Sequence, residues 1–447
     1  MKKFIDTIKN IWSIEELKNK ILFSLALLLV YRVGCHVVLP GINPNDLNDG
    51  SGQSGLLGLF NMFAGGAFNN ASIFALGIMP YISASIAMQL AQIAIPQLQK
   101  LSKEESGRKK INVITRYVTV AVTLFQSVGY IAYLRSQNGT AIINDNFAWM
   151  LSTVIVLTTG TLFVMWLGEK ITDKGIGNGT SLIITAGIIA RLPHSLVQEV
   201  TAKFAKGAAS GLLIFLIELA VMVFIIMAII MLVQGTRRIP INYARRIVGA
   251  ASVKDISGNR DFIPIKVNSA GVMPIIFAQA MLFIPSTIVG FAESETAQGL
   301  ARSLSDPGSM WYNAIYAILV IAFTYLYTAL IFNPTQMADD LKRNNGFIPG
   351  IKPGEDTANY IGAIMDRITL PGAIFLALIG ILPGLAGQMD ITQGFASFYG
   401  GTSMLIMVGV VLDTLQQIES QLLMRHYDGL MKTGRISGRQ PLAATNA

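Results

Sequence analysis

Ten long apolar stretches constrain this chain more than any other feature. They lie near residues 21–39, 72–95, 113–134, 149–168, 179–192, 211–233, 268–290, 312–333, 370–386 and 399–424. A helix of about 20 apolar residues crosses a bilayer core of about 30 Å. Because a backbone inside lipid must satisfy its own hydrogen bonds, each stretch is predicted to be helical. The sequence therefore predicts an all-α, polytopic membrane protein with ten transmembrane helices.

The basic residues are concentrated in alternate connections between these stretches. Connections on one side, together with both chain ends, hold 28 of the 34 lysines and arginines. Cytoplasmic loops of membrane proteins are enriched in Lys and Arg, so both termini are predicted to lie in the cytoplasm, with the protein in the inner (cytoplasmic) membrane. Two basic connections, 234–267 and 334–369, exceed thirty residues, a length that topology alone does not explain.

The order of the apolar stretches predicts the domain organisation. Residues 1–20 alternate charged and apolar positions, which favours an amphipathic helix at the cytoplasmic surface of the membrane. A division near residue 200 leaves five spans on each side. We therefore expect an N-terminal half over 21–200, a C-terminal half over 201–424 and a cytoplasmic tail over 425–447.

Two of the ten stretches differ from simple membrane anchors. The fifth has only about thirteen residues before Pro193, which is short for a bilayer core. The ninth contains Pro371 and Pro383 together with several glycines. Short or interrupted helices in two halves of a chain are typical of a central transport path, although these two are not at equivalent positions.

The segment Leu56–Phe68 is apolar but too short to span a bilayer, and it precedes the second stretch on the outer side. Exposed to water it would favour aggregation, so it is expected to fold back into the protein. Gly65 and Gly66 supply the backbone freedom that such a turn needs. The alternative is a helix that lies flat on the bilayer surface.

The sequence offers little for enzymatic or metal chemistry. The single cysteine, Cys35, rules out an internal disulfide and is expected to be a small apolar residue. The three histidines, His36, His194 and His426, lie far apart and lack ligand spacing. Phosphate-binding loops and hydrolase motifs do not occur. We expect no enzyme activity and no cofactor, and we interpret Glu218, inside the sixth stretch, as an isolated ionisable residue.

Seven sequence blocks resemble the SecY family of protein-conducting channels. In chain order they are Phe60–Ile86 (FNMFAGGAFNNASIFALGIMPYISASI), Glu105–Tyr117, Trp166–Ile184, Arg237–Arg246, Ile263–Pro274, Asn333–Ile361 and Phe398–Ile406. The resemblance covers essentially the whole chain, and each block falls at the expected span or loop. It implies an hourglass of two five-helix halves whose narrow waist is lined by aliphatic side chains.

The resemblance also implies a set of functional residues. The ring at the waist, here called the waist isoleucines, consists of Ile78, Ile82, Ile184, Ile276 and Ile406. Leu56–Phe68 becomes the plug segment that closes the channel, with Phe60, Phe63, Gly65 and Gly66 as its marked residues. Ser83, Gln126 and Gln279 become hydrogen-bonding residues of a lateral gate that opens toward lipid.

The long cytoplasmic loops are implied to be docking sites for partners. Their candidate residues are Arg237, Arg238, Arg245, Arg246, Lys342, Arg343 and Lys352. Basic tips of this kind suit ribosomal RNA or an acidic motor surface. The implied partners are the SecE and SecG subunits, the SecA ATPase, the ribosome, a signal-bearing nascent polypeptide and membrane lipid. Lys352 departs from the family, where arginine is usual, and it loses the bidentate geometry of a guanidinium.

Two other functions compete with this interpretation. A secondary transporter of a small solute would place broken helices and polar ligands at the middle of the membrane. An intramembrane enzyme would need clustered catalytic residues, which the sequence does not offer. The chain also contains no nucleotide-binding motif, so any driving force is expected to come from a partner.

Overall fold

A computed structural model describes residues 12, 14–47, 61–137, 141–143, 145–205, 208–243, 260–290, 308–389 and 391–432. These residues form thirteen α-helices and three short strands. In chain order they are α1 Glu15–Gly34, α2 Met79–Ala94, α3 Pro96–Lys103, α4 Glu105–Gln137, α5 Phe147–Lys174, α6 Gly179–Ala205, α7 Ala208–Gln234, β1 Thr236–Tyr243, β2 Arg260–Lys266, α8 Met273–Gly290, α9 Met310–Ile331, α10 Pro334–Arg343, β3 Gly346–Phe347, α11 Glu355–Gln388, α12 Gln393–Ala396 and α13 Gly401–Lys432.

Each of the ten predicted spans corresponds to one of these helices, and the helical membrane fold is confirmed. Seven stretches of the described chain are long and apolar enough to cross a membrane, and they fall in α4, α5, α6, α7, α9 with α10, α11 and α13. The three remaining predicted spans correspond to α1, α2 and α8. The count of ten crossings stays a prediction.

Two predicted span boundaries were wrong. Helix α6 continues through Pro193 to Ala205, so the fifth span is not short. Helix α11 begins at Glu355 and includes both Pro371 and Pro383, so the ninth span is much longer than predicted. Proline is tolerated inside membrane helices because neighbouring groups satisfy the backbone that it frees.

The second predicted span is only partly helical. Helix α2 begins at Met79, and residues 71–78 form turns instead. These turns pair with the end of the first span through hydrogen bonds from Leu39 N to Ala71 O at 2.8 Å and from Ile73 N to Val37 O at 2.9 Å. Non-helical backbone is stable at membrane depth only where it is buried in protein, and most of these residues are buried.

Helix α4 carries a buried row of hydroxyl side chains at every fourth position. Thr115, Thr119, Thr123 and Ser127 each donate a hydrogen bond to the carbonyl four residues earlier, at 2.7 to 2.9 Å. Their polar groups are satisfied within the helix itself, so this face can pack inside an apolar bundle without other donors or acceptors.

The membrane helices pack around two main hydrophobic clusters. The first draws almost entirely on residues before 200, with Phe398 and Ile406 added from the end of the chain. The second is formed by α7, α8, α9, α11, α13 and the 391–399 segment. This arrangement is compatible with the expected halves, but the predicted boundary near residue 200 falls inside α6 and stays a prediction.

The two long connections fold together into one unit. Strand β1 lies between β2 and β3 and is antiparallel to both. Ile239, Ile241 and Ile265 point to one side of this sheet and pack with Leu341 of α10 and Ile361 of α11. The alternation of buried isoleucines with exposed positions along β1 is typical of a sheet with one face covered.

Candidate functional site

The described part of the plug segment, residues 61–68, is buried inside the first cluster. Phe63, Ala64, Ala67 and Phe68 are at most 5% exposed. After one short helical turn the chain continues in turns, with Gly65 and Gly66 at positive φ angles of 63° and 89°. Phe60 and the residues before it lie outside the described residues.

The plug segment touches α6 backbone to backbone. A Cβ atom placed on Gly65 would lie 2.8 Å from Gly187 Cα, and one placed on Gly187 would lie 2.7 Å from Phe63 O. Neither position can carry a side chain without moving the other chain segment. The two glycines therefore set how deeply the plug segment sits.

The waist isoleucines lie close to this segment. Ile78, Ile184 and Ile406 are 2%, 7% and 8% exposed, and they belong to the same cluster as the plug segment. Ile82, one turn into α2, is partly buried and packs against that cluster. The turns before α2, together with helices α2, α6 and α13, thus bring four of the five predicted residues to one apolar centre.

Ile276 is placed less centrally. It lies in the first turn of α8 and is partly buried, but it is a member of neither main cluster. Val272, one turn earlier, packs against both clusters. The start of α8 is therefore at the junction of the two clusters, although Ile276 itself is not part of the packed centre.

The three predicted lateral-gate residues, Ser83, Gln126 and Gln279, are all partly buried. Within the described residues no hydrogen bond joins them to one another. The structure instead joins α2 to α9 through Tyr327, whose hydroxyl donates to Gln89 Oε1 at 2.9 Å. Sequence reasoning missed this pair, although each is a polar side chain inside an apolar helix.

Tyr327 continues a short row of aromatic side chains. Phe277 of α8 stacks on Phe323 with ring centroids 5.6 Å apart, and its centroid is 6.4 Å from that of Tyr327. Aromatic pairs at these separations add to the stability of a packed helix pair. Tyr327 is therefore fixed by its own neighbours when it bonds to Gln89.

Glu218 is not isolated, and that interpretation was wrong. Its Oε1 lies 2.7 Å from Lys203 Nζ, and Lys203 Nζ also lies 3.4 Å from Glu199 Oε1. Glu199 Oε2 accepts hydrogen bonds from the backbone N, at 2.8 Å, and the hydroxyl of Thr392. Side chains from α6, α7 and the segment after α11 thus form a buried charged cluster, which we call the Glu–Lys–Glu cluster.

The predicted docking cations that the structure describes are all exposed. Arg237 and Arg238 lie on β1, Lys342 and Arg343 end α10, and Lys352 precedes α11. None of these five forms an ion pair with another described residue. Arg245 and Arg246 lie outside the described residues.

A family model described as SecY matches residues 72–415. Two proteins described as protein translocase subunit SecY are similar over nearly the whole chain. The protein from Chlamydia muridarum is 40% identical over 462 residues, covering 97% of this chain and 100% of the relative. The protein from Aquifex aeolicus is 40% identical over 433 residues, covering 95% and 99%.

Solved structures share the fold. One described as a protein conducting channel aligns with a TM-score of 0.59 at 15% identity, covering 92% of this chain and 94% of that chain. Sec61 in the canine ribosome-channel complex from the endoplasmic reticulum aligns with a TM-score of 0.56 at 14% identity, with the same coverage. At these identities the likeness concerns the fold alone.

Proposed function

Because this chain belongs to the SecY family, we propose that it is the protein-conducting channel of a translocase, which threads unfolded secretory polypeptides across the cytoplasmic membrane. Apolar segments would leave sideways into lipid. The observation that carries this proposal is the apolar centre where four of the waist isoleucines and the plug segment pack together. Membership of the family supports the class of substrate, and this packing supports a path through the centre of the bundle.

A narrow aliphatic neck can pass a polypeptide and still exclude ions. Water and ions avoid a constriction lined by apolar side chains, and isoleucine forms a defined collar because its χ1 angle is stiff. The near-complete burial of Ile78, Ile184 and Ile406 supports a neck that is closed at rest. We propose that the plug segment supports this closed state from the outer side.

A solute transporter fits the same centre poorly. Such a protein needs polar or charged ligands where its substrate binds at midmembrane. The buried Glu–Lys–Glu cluster is charged, but Glu199 is fifteen residues beyond Ile184 along α6, which corresponds to about 22 Å. Within the described residues, no group of acidic, histidine or cysteine side chains is arranged to hold a metal ion.

Lateral release needs a gate that an apolar segment can open. Hydrogen bonds between membrane helices average about 0.6 kcal/mol. By contrast, ten Leu, Ile, Val or Phe residues gain roughly 3–6 kcal/mol on entering lipid. We propose that the seam between α2 and α9, including the Gln89–Tyr327 bond, is part of this gate, together with Ser83, Gln126 and Gln279.

The driving force and the other subunits are proposed to come from outside the chain. We propose SecE and SecG as subunits, and SecA or a ribosome as the partner on the cytoplasmic side. The exposed cations of β1 and α10 suit an anionic surface.

Reversing Arg237 and Arg238 to glutamate is expected to weaken ribosome or motor binding most at low salt, and unchanged binding would limit these residues to a role in membrane topology.

The proposal can be tested by crosslinking a stalled, signal-bearing nascent chain inside the channel. Single cysteines at Ile82 and Ile406, in a chain with Cys35 replaced by serine, are expected to crosslink to it. A cysteine at Ile155, which is 57% exposed on the outside of α5, is the control and is expected to react little. Equal crosslinking at all three positions would contradict a central path.

The assignment of the waist isoleucines can be tested by measuring how well the closed channel excludes small ions. Replacing Ile82, Ile276 and Ile406 by serine is expected to let small ions through and to relax the selection of signal sequences, because a polar neck stays wet. Ile155→Ser is the matched control. Ion conductance across a planar bilayer that matches the unchanged protein would count against the ring assignment.

A further inference from the structure

We propose that the plug segment is held in its closed position by hydrogen-bond donors that α1 and α4 direct at its backbone carbonyl groups, with Arg32 and Tyr130 as the positioning residues. This inference rests on the proposed channel function. It assigns the closing force to particular side chains outside the plug segment. It also accounts for an arginine at the end of the apolar part of α1.

Three side-chain donors bind three backbone carbonyls of the segment. Tyr130 Oη donates to Phe68 O at 2.6 Å, and Arg32 Nη1 donates to Gly65 O at 3.2 Å. Tyr31 Oη donates to Ala64 O at 3.4 Å. Helix α1 thus binds the middle of the described segment, and α4 binds its end.

The described part of the segment is not a continuous helix. Residues 61–63 are helical, and residues 64–68 follow in turns. A buried carbonyl without a partner is costly. Among the described residues no backbone N–H donates to Gly65 O, so Arg32 supplies its hydrogen bond. Ala64 O and Phe68 O each accept one bond from the backbone of the turns, at 3.2 and 3.4 Å, and Tyr31 and Tyr130 each add a second. Tyr31 and Tyr130 are 1% and 3% exposed, so water does not compete for these bonds in the closed state.

The remaining contacts of the segment are apolar. Its centre is small, with Ala64, Gly65, Gly66 and Ala67 in sequence, whereas Phe63 and Phe68 are buried in the first cluster. The directed hydrogen bonds therefore act together with apolar packing in holding the segment. Losing one buried bond of this kind changes a closed-to-open ratio by about fivefold to thirtyfold.

The chain carries its own reporter of plug position. Cys35 is its single cysteine. Cys35 is 1% exposed, and its Sγ lies 3.9 Å from Ala64 O of the plug segment. Withdrawal of the segment would expose Cys35 to a small maleimide. When the segment moves faster than the reagent reacts, the labelling rate follows the open population.

The experiment compares Tyr130→Phe and Arg32→Met in the complete translocase, reconstituted in vesicles without substrate. Each variant is expected to raise the Cys35 labelling rate by about fivefold to thirtyfold and to increase ion leak. Tyr117→Phe is the matched control, because Tyr117 lies on the same helix and is 73% exposed. Its labelling rate is expected to match that of the unchanged protein.

Translocation of a preprotein in the same vesicles separates the outcomes. Faster labelling with translocation preserved supports the proposal, because a general loss of packing would expose Cys35 and also lower translocation. Unchanged labelling in both variants overturns it while leaving the channel function intact. Faster labelling together with lost translocation and a lower melting temperature also overturns it, since Tyr130 and Arg32 would then support the whole fold. Failure of the unchanged protein to translocate would instead refute the proposed function.

Discussion

The Glu–Lys–Glu cluster leads us to expect that Lys203 is important for the stability of the folded protein. Lys203 is the one cation among the described members of the cluster, and its side chain is 6% exposed between Glu199 at 0% and Glu218 at 9%. Replacing Lys203 by methionine keeps the apolar stem of the side chain but removes the ammonium group. Two buried carboxylates are then left without their counterion. Breaking a buried ion pair by removing one partner costs about 3–5 kcal/mol, so the folded-to-unfolded ratio should fall by two to four orders of magnitude.

Detergent-solubilised protein offers a direct assay. The fraction that remains folded can be followed against temperature by size-exclusion chromatography, and by brief proteolysis at a fixed temperature. The defect of Lys203→Met is expected to shrink as the pH falls, because a protonated carboxyl needs no counterion. Arg135→Met is the matched control. It removes an exposed pair with Asp145, at 42% and 47% exposure, and should cost at most about 1 kcal/mol.

A triple variant tests the physical reason rather than the position. Changing Glu199 and Glu218 to glutamine together with Lys203→Met removes all three charges, and whole networks can often be replaced at little cost. The glutamine at 199 can still accept from Thr392 N. The triple variant should therefore be more stable than the single one. A single variant as stable as the unchanged protein, or a triple variant no better than the single, would refute the reasoning.

Two further predictions concern the gate and the packing of the turns before α2. Tyr327→Phe removes the hydroxyl that bonds to Gln89, so signal sequences of reduced hydrophobicity should be translocated faster. The expected gain is about threefold for a bond of about 0.6 kcal/mol. If a series of signals of graded hydrophobicity needs the same hydrophobicity for translocation as before, a gate role is contradicted. Gly160→Ala should prevent stable folding, because the added Cβ would lie 2.2 Å from Ile73 O, whereas Gly129→Ala, with nothing within 4 Å, should be tolerated. Expression and monodispersity in detergent check the second prediction.

The apolar stretches and their order are sufficient to determine the class of this protein. Lipid allows only helices or closed barrels, so a chain with stretches of this length has few alternatives. The family can also be recognised from the sequence, because its blocks of residues occur in order along the chain. The waist isoleucines follow from that resemblance and not from the residues alone, since most isoleucines in a membrane helix face lipid or a core.

Tertiary contacts determine where some helices begin and end, which the local sequence pattern did not predict. Pro193 favours the end of a helix when it is considered locally, but α6 continues through it to Ala205. Membrane helices tolerate proline where neighbouring groups satisfy the backbone that it frees. Residues 71–78 are as apolar as a helix needs, yet pairing with the end of the first span makes turns the better solution. In both cases the local preference is small compared with what buried contacts contribute.

The partners of Glu218 and Tyr327 show the same limit most clearly. Lys203 lies on the preceding helix, and Gln89 is 238 residues from Tyr327 in the sequence. A sequence shows which side chains are costly to bury alone, so it identifies residues that need a partner. It does not show which partner is near, because that depends on how helices far apart along the chain come to lie side by side.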